Sequence, residues 1–136
     1  IILIGKKGAD LKIEADGELC HNGPLLLTSV ANGAFCGGGI KSNPRAEVTD
    51  GMIDINIIKN VSRIKFLTLF PSYQKGTHLE VENIEEILTS KKCKKLTITP
   101  NLGTMRLCTD GEITEAGKTE FEIAHNAFNM SVPCSL

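Results

Sequence analysis

The stretch from Leu27 to Lys59, LTSVANGAFCGGGIKSNPRAEVTDGMIDINIIK, constrains the chain more than any other. A strand-like run reaches Ala31-Asn32-Gly33 and is followed by three adjacent glycines, Gly37, Gly38 and Gly39. Such a run loses so much chain entropy on folding that it is tolerated only where φ must be positive or something must come close. Beyond a polar segment, Asp50-Gly51-Met52-Ile53-Asp54 opens a second strand-like run, Ile53 to Ile58. An Asp-Gly pair entering a strand predicts a tight turn with a carboxylate beside it. These residues alone predict a glycine-rich bend feeding a hairpin.

The rest of the chain reads as many short strands and one helix. Ile1 to Ile4 and Asp10 to Ala15 have strand character, and in the second Leu11 and Ile13 alternate with Lys12 and Glu14. Asp16-Gly17 predicts a hairpin whose return strand starts at Glu18 to Cys20, and Leu25 to Val30 reads as a strand buried on both faces. Ser62 suits a helix N-cap, with Ile64, Phe66, Leu67, Leu69 and Phe70 forming a broad apolar face until Pro71 ends the helix or starts a short second turn. Val81 to Leu88 fits a short helix or a strand equally well. Lys91 to Lys95 reads as a solvated basic edge that discourages strand pairing, or as a contact for acidic lipid headgroups, before the strand Leu96 to Ile98. Met105 to Cys108 and Glu120 to Ala124 are expected strands around a turn region, with a last short strand at Met130 to Val132. Strands and turns in this proportion predict a mainly β sandwich or barrel-like domain.

A chain of 136 residues fits one domain with one core. Its net charge of −1 provides no global basic field for nucleic acid, which is not expected as a partner. Membrane contact would have to be local, since no apolar run approaches the roughly 20 residues that span a bilayer. Cys20, Cys36, Cys93, Cys108 and Cys134 have no metal-binding spacing and read as reduced thiols. His21, His78 and His125 are too scattered for a zinc site or a triad.

Several motifs occur in a telling order: Asn32-Gly33, Gly37-Gly38-Gly39, Asp50-Gly51, Ser62-Arg63 and Lys75-Gly76-Thr77-His78. In this the chain resembles the C-terminal domain of the bacterial diacylglycerol and lipid kinase family, related to sphingosine kinases and NAD kinases. The resemblance implies a two-sheet β-sandwich with one or two short helices, occupying residues 1–136 as a single domain. It also implies an upstream α/β domain that binds ATP through a Gly-Gly-Asp-Gly-Thr loop, a motif these residues lack. The opening on Ile1-Ile2-Leu3-Ile4, in mid-strand, agrees with a piece of something longer, expected to be inactive alone.

The resemblance also assigns roles. Asp-Gly-Glu occurs twice, at Asp16-Gly17-Glu18 and Asp110-Gly111-Glu112, and locally each is an ordinary hairpin turn. The family carries this motif late in the domain, so its general base, which takes the proton of the lipid hydroxyl, corresponds to Glu112. A magnesium ion is implied at the Asp50 carboxylate with the carbonyls of Glu47 and Met52, an all-oxygen set suited to that cation. Asp110, Asn32, Gly37, Gly38 and Gly39 are expected in support, and Asp54 at most so; His78 reads as a surface or satisfied polar group or, as part of the family signature, as a brace at the helix exit. Phe35, Phe66 and Phe70 are candidates for facing an acyl chain.

The implied activity is ATP-dependent phosphorylation of a lipid hydroxyl, with diacylglycerol as default substrate. Expected partners are the lipid, its own N-terminal kinase domain and, peripherally, the inner face of the cytoplasmic membrane; a homodimer stays open. Two rivals remain: a soluble metabolite kinase of the NAD kinase group, and a β-sandwich binding module without catalysis.

Overall fold

A computed structural model describes residues 2–4, 9–127 and 129 of the chain. Nine strands are present among them: β1 (Ile2–Ile4), β2 (Ala9–Ala15), β3 (Glu18–Ala31), β4 (Ile53–Lys59), β5 (Leu88–Cys93), β6 (Lys95–Pro100), β7 (Met105–Thr109), β8 (Glu112–Ala116) and β9 (Thr119–Glu122). One helix, α1 (Arg63–Lys75), follows β4. The expected last strand at Met130 to Val132, Ile1 and Cys134 lie outside the described residues.

The architecture turns on β3, a single strand of 14 residues where two separate runs are expected from sequence. Its first half pairs with β2, and its second half pairs with β1 and β4. Between them lie Gly23, at φ 138°, Pro24 and a register shift at Leu25/Leu27. A bulge of this kind bends a strand and lets it pass from one layer into another. One layer is the first half of β3 with β2, β6 and β9; the other is β8, β7, β1, the second half of β3, β4 and β5. Inward side chains of both, Leu11, Ile13, Leu96 and Ile98 against Ile53, Ile55, Ile57, Met105 and Leu107, form one buried cluster. This is the two-sheet sandwich that the family resemblance implies, where the pattern of strands and turns leaves sandwich or barrel open.

β4 is buried along both faces. Its odd residues face the sandwich, while Ile58 joins Leu69, Tyr73, Ile84 and Leu88 in a second cluster beneath α1. The Ser62 hydroxyl caps the helix by accepting the Lys65 N–H at 3.2 Å. Gly76, at φ 78°, ends it in the left-handed conformation that a Cβ disfavours. Pro71 does not end the helix: it sits inside it on the exposed side, where the missing N–H costs one bond but the ring meets no neighbour in the core. His78 is fully buried against the Tyr73 ring, 4.7 Å between centroids, so it braces the helix exit from inside. Burial pushes its imidazole below the usual range.

Two strands escape a reading by periodicity. Residues 81–88 become a short 3₁₀ turn, Ile84–Glu86, and the start of β5, whose lysines hide its pairing with β4. β8 is polar and exposed over most of its length, so it carries no apolar alternation.

The segment between β3 and β4 is tied down by polar groups. Asn43 is buried, and its side-chain oxygen accepts from the Ser29 hydroxyl at 2.9 Å and the Ser42 hydroxyl at 3.0 Å. Its amide donates to the Asp54 carbonyl at 3.3 Å, and Asn56 donates back to the Ser42 carbonyl. Truncation at Asn43 leaves two hydroxyls and a carbonyl unsatisfied in a buried setting, at about 1–3 kcal/mol each before relaxation. Asn43→Ala is therefore expected to lower unfolding free energy by at least about 2 kcal/mol in denaturant titration. A loss under about 0.5 kcal/mol, the level of an ordinary surface change, would show that the bend does not depend on this residue.

Candidate functional site

The two Asp-Gly-Glu hairpins have the same backbone. Asp16 and Gly17 stand at φ 50° and 83°, Asp110 and Gly111 at 48° and 95°, and both turns join paired strands with two central residues. Two successive positive φ values make the tight turn that matches strand twist, which explains Asp-Gly at both places.

Their surroundings differ. The Asp16 carboxylate accepts the backbone N–H groups of Lys94 and Lys95 at 3.0 and 2.9 Å, which locks the first hairpin onto β6. Glu18 pairs with Lys91 at 2.8 Å, and that hydrogen bond holds its carboxyl below the ordinary range. The second hairpin borders a cavity. Asp110 and Gly111, with Cys108, form one wall of a cavity of about 550 Å³, and Phe35, Cys36, Gly37 and Ile40 form the other. Asp110 also lines an adjoining cavity of about 270 Å³ with Asn32, Ile53 and Phe121. Glu112 begins β8 beside this rim, exposed, with no side-chain hydrogen bond or ion pair among the described residues.

The glycine-rich bend thus meets the second hairpin. The Cys36 N–H donates to the Ile40 carbonyl at 2.8 Å, closing a small loop in which Gly38 and Gly39 take φ 74° and 75°. A Cβ at Gly37, Gly38 or Gly39 would meet nothing within 4 Å among the described residues. Positive φ therefore explains two of the three glycines, and the open side of the loop leaves room for a neighbour.

Of the three candidate phenylalanines, Phe35 alone lines this cavity. Phe66 is half-buried against the cluster beneath α1 and stacks on Phe70, centroids 6.0 Å apart. The structure brings Asn32, Phe35, Gly37, Asp110 and the Glu112 hairpin together, and leaves Phe66 and Phe70 on the helix.

Asp50, Glu47 and Met52 form a second group. The Asp50 N–H donates to the Glu47 carbonyl at 3.3 Å, and the Met52 N–H to Asp50 Oδ1 at 2.9 Å. Lys92 of β5 pairs with Asp50 Oδ2 and lies 3.7 Å from Asp54 Oδ2. The expected solvated edge at Lys91 to Lys95 is thus engaged, since Lys91 and Lys92 each hold a carboxylate. Gly51 is pressed from the other side, where an added Cβ would sit 2.7 Å from His125 Nδ1. Neither Lys92 nor His125 announces this role in sequence, because each comes from a distant segment.

Whether a magnesium ion suits this group is decided by Asp54. Its Oδ2 is buried without a hydrogen-bond partner, and burial raises its carboxyl above the usual range, with Asp50 and Glu47 adding to the rise against Lys92. One ammonium faces two carboxylates, so the cluster retains negative charge, and its donors are oxygens, a set suited to a hard divalent cation that would displace the Lys92 ammonium from Asp50 Oδ2. Among the described residues, no group of three or more His, Cys, Asp or Glu side chains is arranged to hold a metal.

Residues 3–132 match the family described as the YegS C-terminal NAD kinase beta sandwich-like domain. The chain belongs to that family. Within this YegS C-terminal domain, 60 residues are 38% identical to a diacylglycerol kinase of Mycobacterium tuberculosis, over 44% of this chain and 19% of that protein. A structure described as a diacylglycerol kinase from Bacillus anthracis superposes with a TM-score of 0.65 at 19% identity, covering 90% of this chain and 45% of that one. A further Bacillus anthracis chain assigned to the diacylglycerol kinases gives a TM-score of 0.67 at 24% identity, covering 88% and 38%. The YegS C-terminal domain spans less than half the length of these proteins, and the structural likeness is one of fold.

The raised Asp54 carboxyl has a testable sign. A carboxyl whose folded pKa exceeds its unfolded value of about 3.8 costs stability that appears as pH rises through that window and persists above it. In metal-free protein, the melting temperature of Asp54→Asn relative to wild type should rise from about pH 4 to about pH 7. A relative melting temperature that falls over this range would mean that Lys92 holds Asp54 as a stabilised carboxylate.

Proposed function

We propose that this domain is the lipid-facing, base-bearing half of an ATP-dependent lipid kinase, with diacylglycerol as the default substrate. The observation that carries this reading is the mostly apolar cavity between the glycine-rich bend and the Asp110-Gly111-Glu112 hairpin. It offers an apolar slot beside a carboxylate, the combination needed to seat a lipid and take a proton from its hydroxyl. A soluble dinucleotide substrate would call for a more polar wall than Phe35 and Ile40 provide, which disfavours the NAD kinase reading. The likeness in name to diacylglycerol kinases supports the same substrate class.

An alcohol attacks phosphorus only if its oxygen is held in line and an acceptor takes its proton. In this proposal the acyl portion lies in the cavity, and the free hydroxyl points past Asp110 toward Glu112. The hydroxyl proton passes to the Glu112 carboxylate as the oxygen bonds to the γ-phosphorus, and the bond to ADP breaks. The nucleotide with its own magnesium belongs to the upstream half of the protein. The Asp50 carboxylate with the Glu47 and Met52 carbonyls would hold a second magnesium ion, which when bound supplies positive charge that braces the bend. Asp110 positions the turn, and Asn32 borders the adjoining cavity.

Two tests follow in the full-length protein. Glu112→Gln keeps size and hydrogen bonding but accepts no proton, so turnover on saturating lipid in mixed micelles should fall about 10²–10⁴-fold with KM little changed. Glu18→Gln, on the hairpin fixed by Lys91, should leave turnover within about twofold of wild type. Equal rates for both variants and wild type would remove the base assignment. Separately, a chelator should lower the wild-type melting temperature, whereas Asp50→Ala should melt low whether or not chelator is present. Wild type and variant that melt alike with and without chelator would exclude the Asp50 metal.

A further inference from the structure

The helix α1 is apolar on both sides. Phe66, Leu69 and Tyr73 face the core. Ile64, Leu67 and Pro71, spaced three and four residues apart on the opposite side, face outward. Ile64 is 77% exposed and Leu67 66%, values that a solvated helix face does not ordinarily show for adjacent large aliphatics. The helix carries Arg63, Lys65 and Lys75 and no acidic residue, within a chain whose net charge is −1. Positive charge is therefore concentrated where the exposed aliphatics are, while the glutamates of residues 80–86 lie on the neighbouring segment.

This surface continues to the cavity. The Lys41 N–H donates to the Gln74 carbonyl at 3.0 Å, joining the glycine-rich bend to the C-terminal turn of α1. The Lys41 ammonium stands 5.8 Å from the centre of the Phe35 ring, which is 62% exposed and also lines the cavity.

We propose that the outer face of α1, extended by Phe35 and Lys41, is a docking surface for an anionic lipid bilayer. Aliphatic side chains flanked by Lys and Arg on a helix free of acids are what the interface of such a bilayer accepts: the apolar groups enter the acyl boundary and the cations meet lipid phosphates. A second protein surface is less well matched, because lysines are depleted where proteins meet. Docking by this face sets the cavity wall at Phe35 against the membrane, where a lipid would enter. The proposal rests on the lipid-kinase reading for its purpose but not for its test.

The experiment is co-sedimentation of the full-length protein with vesicles of phosphatidylcholine alone or with about a third phosphatidylglycerol. Wild type should prefer the anionic vesicles, and binding should weaken at least about tenfold from about 0.1 M to about 0.5 M salt. Ile64→Ser/Leu67→Ser should bind at least about tenfold more weakly, and Arg63→Gln/Lys65→Gln about fivefold per charge removed. These side chains are exposed, so thermal melting should stay unchanged; should a variant unfold, the wild-type comparison of lipid composition and salt decides alone. Binding indifferent to phosphatidylglycerol and salt, or unaltered in both folded variants, overturns the proposal. So does a loss of self-association by light scattering with vesicle binding intact, which would make this face a contact between two copies. A water-soluble short-chain diacylglycerol keeps the two readings apart. Docking variants should phosphorylate it at the wild-type rate while losing activity on vesicles. Vesicle binding that follows the expected pattern in a protein that phosphorylates no lipid would sink the kinase reading and leave the docking surface standing.

Discussion

The burial of β4 on both faces is the constraint on which the rest depends. A strand covered on one side can be polar on the other; this one carries Asp54 and Asn56 away from water. The bend meets part of that need: the Asn43 amide donates to the Asp54 backbone carbonyl and the Ser42 carbonyl accepts from the Asn56 amide, while Asp54 Oδ2 and Asn56 Oδ1 have no hydrogen-bond partner among the described residues. The same contacts that make a buried polar strand tolerable therefore pin the glycine-rich segment to the sheet. Buried networks of this kind stabilise little on balance but penalise every alternative arrangement, so they specify position. Here the position specified is that of the cavity wall.

The two Asp-Gly-Glu hairpins separate local from global causes. Backbone conformation is the same in both, as the shared residues require. What each can do chemically is set by long-range neighbours: β6 amides and Lys91 consume the carboxylates of the first, and a cavity borders the second. The Asp50 turn shows the same division. Asp-Gly predicts the turn, but the charge balance there depends on Lys92 from β5 and on the burial of Asp54.

Much of the fold was legible in the sequence where side chains alternate against one core, as in Leu11 and Ile13, or where a cap is chemical, as at Ser62. The continuity of β3 was not, because Gly23-Pro24 reads as a break yet serves as the bend that carries the strand between layers. β5 and β8 were hidden by their lysines and glutamates, since an edge strand held by backbone pairing needs no apolar alternation. Pro71 reads as a stop or as the start of a second short turn, though a proline on the exposed side costs a helix only one bond. At the candidate site, Asn32, Phe35, Gly37 and Asp110 were legible and do meet. Phe66 and Phe70 were read as facing a slot because aromatic character says nothing about which side of a helix a ring occupies.

What the bend leaves open is as informative as what it fastens. The chain leaving the Gly37–Gly39 loop is fastened by the Lys41 N–H on the Gln74 carbonyl of α1 and by the buried Asn43 side chain, while a Cβ on any of the three glycines would meet no atom of the described residues within 4 Å. Gly38 and Gly39 need their positive φ, but Gly37 does not, so backbone strain cannot account for it. A methyl at that position would meet no atom of the described residues within 4 Å. Gly37 forms part of the cavity wall, where the missing side chain leaves its backbone bare toward the Asp110-Gly111 hairpin. The YegS C-terminal domain then presents a fastened frame on one side of the loop and bare backbone on the other, toward the cavity.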